Sequence, residues 1–301
     1  MLAAASPARW PATAVSTMPT NGTVIPAWDE AITTDYAENT NLLVENFEQL
    51  VYTAEDGTEL MYNLCVPEDA DEALPLVLFM PDATGEGSDP VRTLTESLGS
   101  VIWSAEEWQA EHPCIVLCPQ YESSNGDDLA YTIGLVEYIV DNYNVDESRI
   151  YTVGQSSGTI RSIKLMIDYP DLFAAGMLVA GQGQDGYEER LDELSGQTIW
   201  LICSAGDERA CPGMTAIVEA VEAEGTVVTI SQWSADLPDE EQEQLAAEQA
   251  DAGTIINWTI YDAGTVMEDD VSASAPTEHM NTWRVAYDLD TVREWLFEQS
   301  R

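Results

Sequence analysis

The sequence predicts an α/β domain in which helices cover both faces of a doubly wound, mostly parallel β-sheet. Three observations support this fold class. The chain has 301 residues, 45% of them apolar, which is enough for one large domain with a buried core. From Leu50 onward, short apolar runs alternate with segments of helical periodicity. No internal repeat interrupts this alternation, so we expect one domain over residues 41–301.

The first strands of the sheet are expected to be antiparallel. The segments 51–53 and 59–66 flank Asp56-Gly57, a dipeptide typical of hairpin turns. This spacing predicts a hairpin at the N-terminal edge of the sheet. Residues 1–40 are rich in Ala, Pro, Ser and Thr and have no apolar period, so we interpret them as a linker or processing remnant outside the fold.

The later elements follow from their apolar periodicity. Six runs are short, apolar and β-branched, as central parallel strands are: 74–80, 114–118, 149–153, 176–179, 198–203 and 254–261. Two helices between them carry apolar stripes at three- and four-residue spacing: Leu129, Ile133, Val136, Val140 and Tyr143, then Ile160, Ile163 and Ile167. A closing helix is predicted for 289–299. The polar stretch 233–253 is expected to be a lid or a solvated insertion.

The charge balance excludes some classes of partner. With 55 acids and 10 bases the net charge is −45 and the isoelectric point is near 4.1, so nucleic acid would be repelled. No apolar run reaches 18 residues, so no membrane-spanning segment is expected in the chain as given. The apolar start lacks the basic segment of an intact signal peptide. A mature exported protein is compatible with this, and we expect a secreted or extracytoplasmic bacterial protein.

The cysteines and histidines do not predict a metal centre. Five cysteines are an odd number, so at least one is free or pairs between chains. Cys203 and Cys211 are close enough in sequence to bridge across a loop, or they remain free thiols. Because the chain has only two histidines and no Cys-x-x-Cys motif, we expect no metal and no other cofactor.

One motif points to nucleophilic chemistry. The stretch Gly154-Gln155-Ser156-Ser157-Gly158 directly follows a predicted strand and opens a predicted helix, as a nucleophile elbow does. In that arrangement Ser156 is exposed at a helix N-terminus, and the backbone N–H of Ser157 stabilises an oxyanion. The alternative is a simple Gly-Ser turn between strand and helix.

A serine nucleophile needs a base and an orienting acid. In hydrolases built on such an elbow the chain order is serine, acid, histidine. His112 precedes the elbow, so His279 is the candidate base, expected in a loop after the last strand; an exposed loop histidine is the alternative. Asp207 follows a strand between Ser156 and His279 and is the candidate acid. Glu208 is the second choice, and a solvated loop acid is the other interpretation.

The remaining site candidates come from position alone. The second oxyanion donor is expected in the loop after the strand 74–80, at the N–H of Asp82 or Ala83. Gln155, within the elbow, is a candidate substrate-binding residue. Trp283 is another, although tryptophans at such positions are more often part of the core.

Taken together, these stretches resemble the α/β-hydrolase superfamily. The chain is similar to its carboxylesterase group of poly(3-hydroxybutyrate) depolymerase-like and feruloyl esterase-like enzymes, often labelled predicted peptidases. The resemblance covers the chain from about residue 48 and rests on 56–60, 74–79, 115–120, 146–151, 169–175, Gly206-Asp207, Pro212-Gly213-Met214, and His279 with Trp283 and Tyr287. It implies the α/β-hydrolase fold, Ser156 as nucleophile, Asp207 as acid and His279 as base.

The chain departs from the family pattern next to the site. Where the family usually has His-Gly-Ala-Gly, this sequence has Pro81-Asp82-Ala83-Thr84, which reshapes the expected oxyanion loop. We expect a serine hydrolase that cleaves small-molecule or polymer-linked carboxylic esters through an acyl-enzyme. The alternatives are a serine peptidase or amidase of the same fold, or a non-catalytic binding protein. The sequence carries no signal for the oligomeric state.

Overall fold

The computed structural model describes residues 15–17, 43–67, 72–95, 98–123, 129–267 and 272–301. These residues build a ten-stranded sheet. The strands are β1 Val15–Thr17, β2 Glu48–Thr53, β3 Glu59–Cys65, β4 Leu74–Met80, β5 Ile115–Gln120, β6 Val145–Gln155, β7 Ala175–Val179, β8 Ile199–Ser204, β9 Val228–Trp233 and β10 Ile256–Tyr261. The α-helices are α1 Arg92–Thr95, α2 Leu98–Val101, α3 Glu106–Glu111, α4 Leu129–Asn142, α5 Ser157–Asp168, α6 Ala210–Ala223, α7 Asp239–Ala250, α8 Ala275–Tyr287 and α9 Asp290–Phe297.

The sheet is mostly parallel, as predicted. Its strand order is β1-β2-β3-β5-β4-β6-β7-β8-β10-β9. The pairs β1–β2, β2–β3 and β3–β5 are antiparallel. The remaining neighbours in the sheet are all parallel: β5–β4, β4–β6, β6–β7, β7–β8, β8–β10 and β10–β9. The carboxyl ends of β4, β6, β8 and β10 therefore meet at one edge, which is where ligands bind in open α/β sheets.

The central strands are covered on both faces. Every residue of β4, β5, β7 and β8 is buried, whereas a strand covered on one face would alternate between buried and exposed residues. The predicted helical stripes supply part of this cover, since Ile133 and Val136 of α4 and Ile163 and Ile167 of α5 are buried. The closing helix is also confirmed, as α9.

The hairpin between β2 and β3 is confirmed. Its turn contains Gly57 at φ +86°, a conformation that a side chain disfavours. The Asp56 carboxylate accepts a hydrogen bond from the N–H of Thr58 at 2.9 Å and so closes the turn.

The structure differs from the sequence-based expectation at both sheet edges. Val15–Thr17, in the segment expected to lie outside the fold, pairs with β2. The edge strand β9 was not predicted, because an edge strand needs no continuous apolar run: Ile230 on β9 is 48% exposed. The polar stretch 233–253 supplies α7, the crossover from β9 to β10, where a lid or insertion was expected. Gln249 fixes this helix to the sheet by donating to the carbonyl of Thr229 and accepting from the hydroxyl of Thr259.

The junction between β6 and α5 brings the helix very close to β4. A Cβ atom on Gly158 would lie 1.8 Å from the carbonyl oxygen of Met80 and 2.9 Å from that of Pro81. A Cβ atom on Gly154 would lie 2.7 Å from the backbone of Gly158. Both glycines are therefore required by close backbone contacts, as in an elbow.

We predict that Gly158→Ala destabilises the domain by about 1–3 kcal/mol or more, because the new methyl group displaces α5 from β4. Urea unfolding followed by circular dichroism measures the difference. Gly196→Ala is the matched control, since a Cβ atom there meets nothing within 4 Å. Equal unfolding midpoints for the two variants would contradict the close approach.

Candidate active site

Ser156 occupies a strained position between β6 and α5. Its backbone has φ 52° and ψ −117°, outside the regions that non-glycine residues ordinarily adopt, and such strain costs about 1–3 kcal/mol. The N–H of Ser156 donates to the carbonyl of Val179 on β7 at 2.9 Å, which fixes the turn to the neighbouring strand. The predicted strand, turn and helix around the motif are all present.

His279 lies within hydrogen-bond distance of Ser156. The distance between its Nε2 and the Ser156 Oγ is 2.8 Å. The expected loop location is wrong, because His279 lies in α8, which begins four residues earlier at Ala275. Ser274 caps this helix by a capping box with Thr277, and Pro276 stands in its first turn. The candidate base is therefore carried on a capped helix.

Asp207 is the third side chain in the hydrogen-bonded series that includes Ser156 and His279. Its Oδ2 lies 2.5 Å from the His279 Nδ1, and its Oδ1 accepts the N–H groups of Arg209 and Ala210, each at 2.9 Å. Burial by itself raises the pKa of Asp207, but the hydrogen bonds from His279, Ala210 and Arg209 outweigh it and hold the pKa below the ordinary value of an aspartate. A carboxylate at Nδ1 favours the tautomer whose Nε2 accepts the Ser156 proton. Glu208, the second choice, is exposed.

The three side chains differ in their access to water. Asp207 is 2% exposed, whereas the His279 side chain is 25% exposed. The acid is therefore shielded while the imidazole remains accessible from outside. This is the distribution that a base needs when it exchanges protons with a bound molecule and with water.

The loop 81–86, between β4 and the following elements, passes over the first turn of α5. Ala83–Gly85 forms a 3-10 turn capped by Asp82, whose Oδ2 accepts the N–H of Thr84 at 2.9 Å and its hydroxyl at 2.7 Å. Asp82 is 1% exposed and Ala83 is exposed. The Asp82 carboxylate is thus bound within the loop, and the N–H of Ser157 belongs to the uncapped N-terminus of α5.

The two candidate substrate-binding residues are buried next to the catalytic candidates. Gln155 is fully buried and its Nε2 donates to the Asp82 Oδ1 at 3.1 Å. Trp283 is 9% exposed and its ring stands edge-on to His279, with 5.5 Å between ring centroids. Gln155 therefore contacts the loop 81–86, and Trp283 supports the imidazole.

Sequence reasoning missed Glu278, which precedes the candidate base. It is 3% exposed, accepts the Ser204 hydroxyl at 2.5 Å, and accepts the N–H of Gly264 at 2.6 Å. A Cβ atom on Gly206 would lie 2.4 Å from its carboxyl carbon. Glu278 thus ties the helix of His279 to the loop of Asp207. Two sequence features could have indicated this contact: the acidic Glu278 next to the candidate base, and the small polar Ser204 at the end of β8.

The other histidine lies apart from this chemistry, whereas the cysteine pair borders it, because the N–H of Cys211 donates to the carbonyl of Asp207 at 3.3 Å. His112 packs on Trp108, with 4.4 Å between ring centroids. Cys203 and Cys211 are free thiols, and a hydrogen bond between them raises the pKa of Cys203 and lowers that of Cys211. Within the described ranges, no group of three or more His, Cys, Asp or Glu side chains could hold a metal ion.

Comparison with known proteins gives a family match. A family model described as Esterase PHB depolymerase matches residues 60–239. A feruloyl esterase B from Thermothelomyces thermophilus is 21% identical over 181 residues, covering 56% of this chain and 55% of that protein. An acetylxylan esterase A from Emericella nidulans is 43% identical over 139 residues, covering 44% of this chain and 46% of that protein. The chain spans about half the length of these two relatives.

Comparison with solved structures confirms the fold. The structure of a thermostable esterase matches with a TM-score of 0.69 at 24% sequence identity, covering 86% of this chain and 64% of that chain. The α/β-hydrolase fold that the resemblance implied is therefore confirmed.

We predict that Asp207→Asn lowers the free energy of unfolding at about pH 7 more than at about pH 3. Because the folded-state pKa of Asp207 is depressed, its contribution to stability is present above the pKa of the unfolded chain and is lost as the pH falls through the folded-state pKa. Urea unfolding at the two pH values measures this.

The control is Asp251→Asn, which removes an exposed carboxylate at the end of α7. If both variants lost the same stability at each pH, the hydrogen bonds to Asp207 would not be the source of its stabilising effect.

Proposed function

The chain belongs to the esterase PHB depolymerase family, and from this premise we propose that it hydrolyses carboxylic esters through an acyl-enzyme on Ser156. One observation carries the proposal. The Ser156 Oγ, both His279 nitrogens and the Asp207 carboxylate form a continuous chain with separations of 2.8 and 2.5 Å. This is the geometry in which a base activates a serine hydroxyl and an acid orients the base.

Acylation uses each of these groups in turn. As the Ser156 Oγ attacks the ester carbonyl carbon, its proton passes to the His279 Nε2. The resulting imidazolium is stabilised by Asp207, which stays ionised because its pKa is depressed. The carbonyl oxygen becomes an oxyanion that accepts hydrogen bonds from the N–H of Ser157 and from that of Asp82 or Ala83. His279 then protonates the leaving alcohol as the carbon–oxygen bond breaks.

Deacylation repeats these steps with water. His279 takes a proton from a water molecule, which attacks the acyl carbon, and the returning proton releases Ser156 with a free carboxylic acid. Apart from the ester and the water molecule, the groups that act in this proposed cycle are protein side chains and backbone N–H groups.

The substrate class follows from the relatives and the charge. The two relatives are named as a feruloyl esterase and an acetylxylan esterase. By analogy, the proposed substrates of this chain are neutral carboxylic esters, either small or polymer-linked. A net charge of −45 disfavours approach of polyanions, including nucleic acid. An extracytoplasmic location belongs to the same proposal. No helix in the described part of the chain is long and apolar enough to cross a bilayer.

We predict that a fluorophosphonate probe adds once to the wild type and to Ser157→Ala, and not to Ser156→Ala, because the Ser156 hydroxyl is hydrogen-bonded to the His279 imidazole, whereas the Ser157 hydroxyl donates to the carbonyl of Pro81. Intact-mass spectrometry measures the adduct. Ser157→Ala is the matched control, since it removes the adjacent hydroxyl and keeps the backbone N–H.

An adduct that persists in Ser156→Ala would assign the nucleophile elsewhere. A folded wild type with no adduct would favour the non-catalytic binding protein, because the altered loop 81–86 would then not form a working oxyanion site. A labelled enzyme that cleaves peptides faster than esters with equal leaving groups would favour a peptidase.

We also predict that charge steers substrate choice. For two esters that differ only in the sign of a remote charge, the cationic one should have the higher kcat/KM at about 0.01 M salt, where the Debye length is about 30 Å. The ratio should fall toward one at about 1 M salt. Steady-state kinetics at both salt concentrations test this, and an anionic ester turned over equally fast at low salt would contradict it.

A further inference from the structure

We propose that Arg161 and Glu86 form a clamp that sets the position of the oxyanion loop 81–86 relative to Ser156, so that both are positioning residues for acyl transfer. The inference rests on the proposed function, because it assigns a role within the same reaction. It concerns the part of the chain that departs most from the family pattern, Pro81-Asp82-Ala83-Thr84.

Arg161 lies in α5 and is 8% exposed. Its Nη1 donates to the carbonyl oxygen of Pro81 at 3.2 Å, and its Nη2 pairs with the Glu86 Oε1 at 2.7 Å. The side chains of Arg161 and Glu86 are 10% and 9% exposed. One guanidinium group therefore holds the first and the last residue of the loop.

The guanidinium group is itself held in place. Its central carbon lies 4.3 Å from the ring centroid of Tyr121, close enough for a cation–π interaction. The planar fork of arginine binds two acceptors in fixed directions, which a lysine ammonium does not. The contacts with Pro81, Glu86 and Tyr121 leave Arg161 little freedom to move relative to α5.

The middle of the loop is bound from other elements. Gln155 donates to the Asp82 carboxylate at 3.1 Å, and Gln120 donates to the carbonyl of Gly85 at 2.7 Å. Arg92 donates to the carbonyl of Thr84 at 2.6 Å. These bonds fix the shape of the turn. Arg161 links both ends of the loop to the helix that follows the nucleophile, and the Ser157 hydroxyl adds a longer bond to the carbonyl of Pro81 at 3.4 Å.

This link matters because the two oxyanion donors belong to separate elements. One is the N–H of Ser157 on α5, and the other is the N–H of Asp82 or Ala83 in the loop. A peptide unit is planar, so binding the carbonyl of Pro81 also fixes the direction of the Asp82 N–H. The spacing between the two donors therefore depends on the contacts of Arg161. A displacement of about 1 Å at such a site can cost about 10²-fold in rate.

The experiment compares Arg161→Lys and Glu86→Ala with the wild type. We expect kcat for a neutral ester to fall about 10- to 10²-fold with KM within about three-fold, because the oxyanion forms only in the transition state. Affinity for a trifluoromethyl ketone, which forms a tetrahedral adduct, should fall in the same proportion as kcat/KM. Loss of folded protein alone would not lower the affinity for the ketone and kcat/KM in the same proportion. Arg190→Lys is the control, since Arg190 forms ion pairs on the surface with Asp168 and Glu193.

Glu86→Ala decides the question if Arg161→Lys fails to fold, because it removes one contact of the clamp and keeps the arginine. A folded clamp variant with wild-type kcat overturns the proposal, as does a loss confined to KM. Fluorophosphonate labelling of the wild type separates this outcome from failure of the proposed function. An unlabelled wild type refutes the acyl-enzyme itself, whereas a labelled and active wild type leaves the clamp as the claim that failed.

Discussion

The close contact between α5 and β4 is the constraint on which the site depends. Because Gly158 has no side chain, the first turn of α5 lies against the carbonyl of Met80. The chain reaches that position only through the strained backbone of Ser156, whose hydroxyl is thereby placed at the carboxyl edge of the sheet. The same contact lays the loop 81–86 over the helix N-terminus. The proposed nucleophile, the N-terminus of α5 and the proposed oxyanion loop are thus positioned by one packing interaction.

Around this contact, buried carboxylates receive hydrogen bonds mainly from polar groups, in a chain that has 55 acids and only 10 bases. Asp207 accepts two backbone N–H groups and the histidine, and Glu278 accepts a hydroxyl and a backbone N–H. Asp82 is bound by Thr84 and Gln155, and Glu86 by Arg161. Hydrogen bonding offsets the cost of burying a polar group, so Glu278 and Asp82 are satisfied here by hydroxyl, amide and backbone N–H donors. Arg161, one of the few basic residues, joins the loop 81–86 to α5.

Much of the fold and the candidate triad follows from local or countable features of the sequence. The elbow is a local motif, and with only two histidines the position of His279 after the last strand left one candidate. The helix that carries His279 was missed because its signals, Ser274 and Pro276, lie in a polar stretch with no apolar period. Glu278 and Arg161 were missed for another reason. Their partners Ser204 and Glu86 lie 74 and 75 residues away, so only the tertiary structure brings them together.

If Ser156, His279 and Asp207 act as one unit, the losses of activity caused by removing each of them are not additive. We would measure kcat/KM on a sensitive fluorogenic ester for Ser156→Ala, His279→Ala, Asp207→Ala and the triple variant. We expect the triple variant to lose about as much as Ser156→Ala alone, because each removal disables the same proton transfer. Losses that multiplied across the three substitutions would mean that the residues contribute independently, and that the hydrogen-bonded chain does not carry the catalysis.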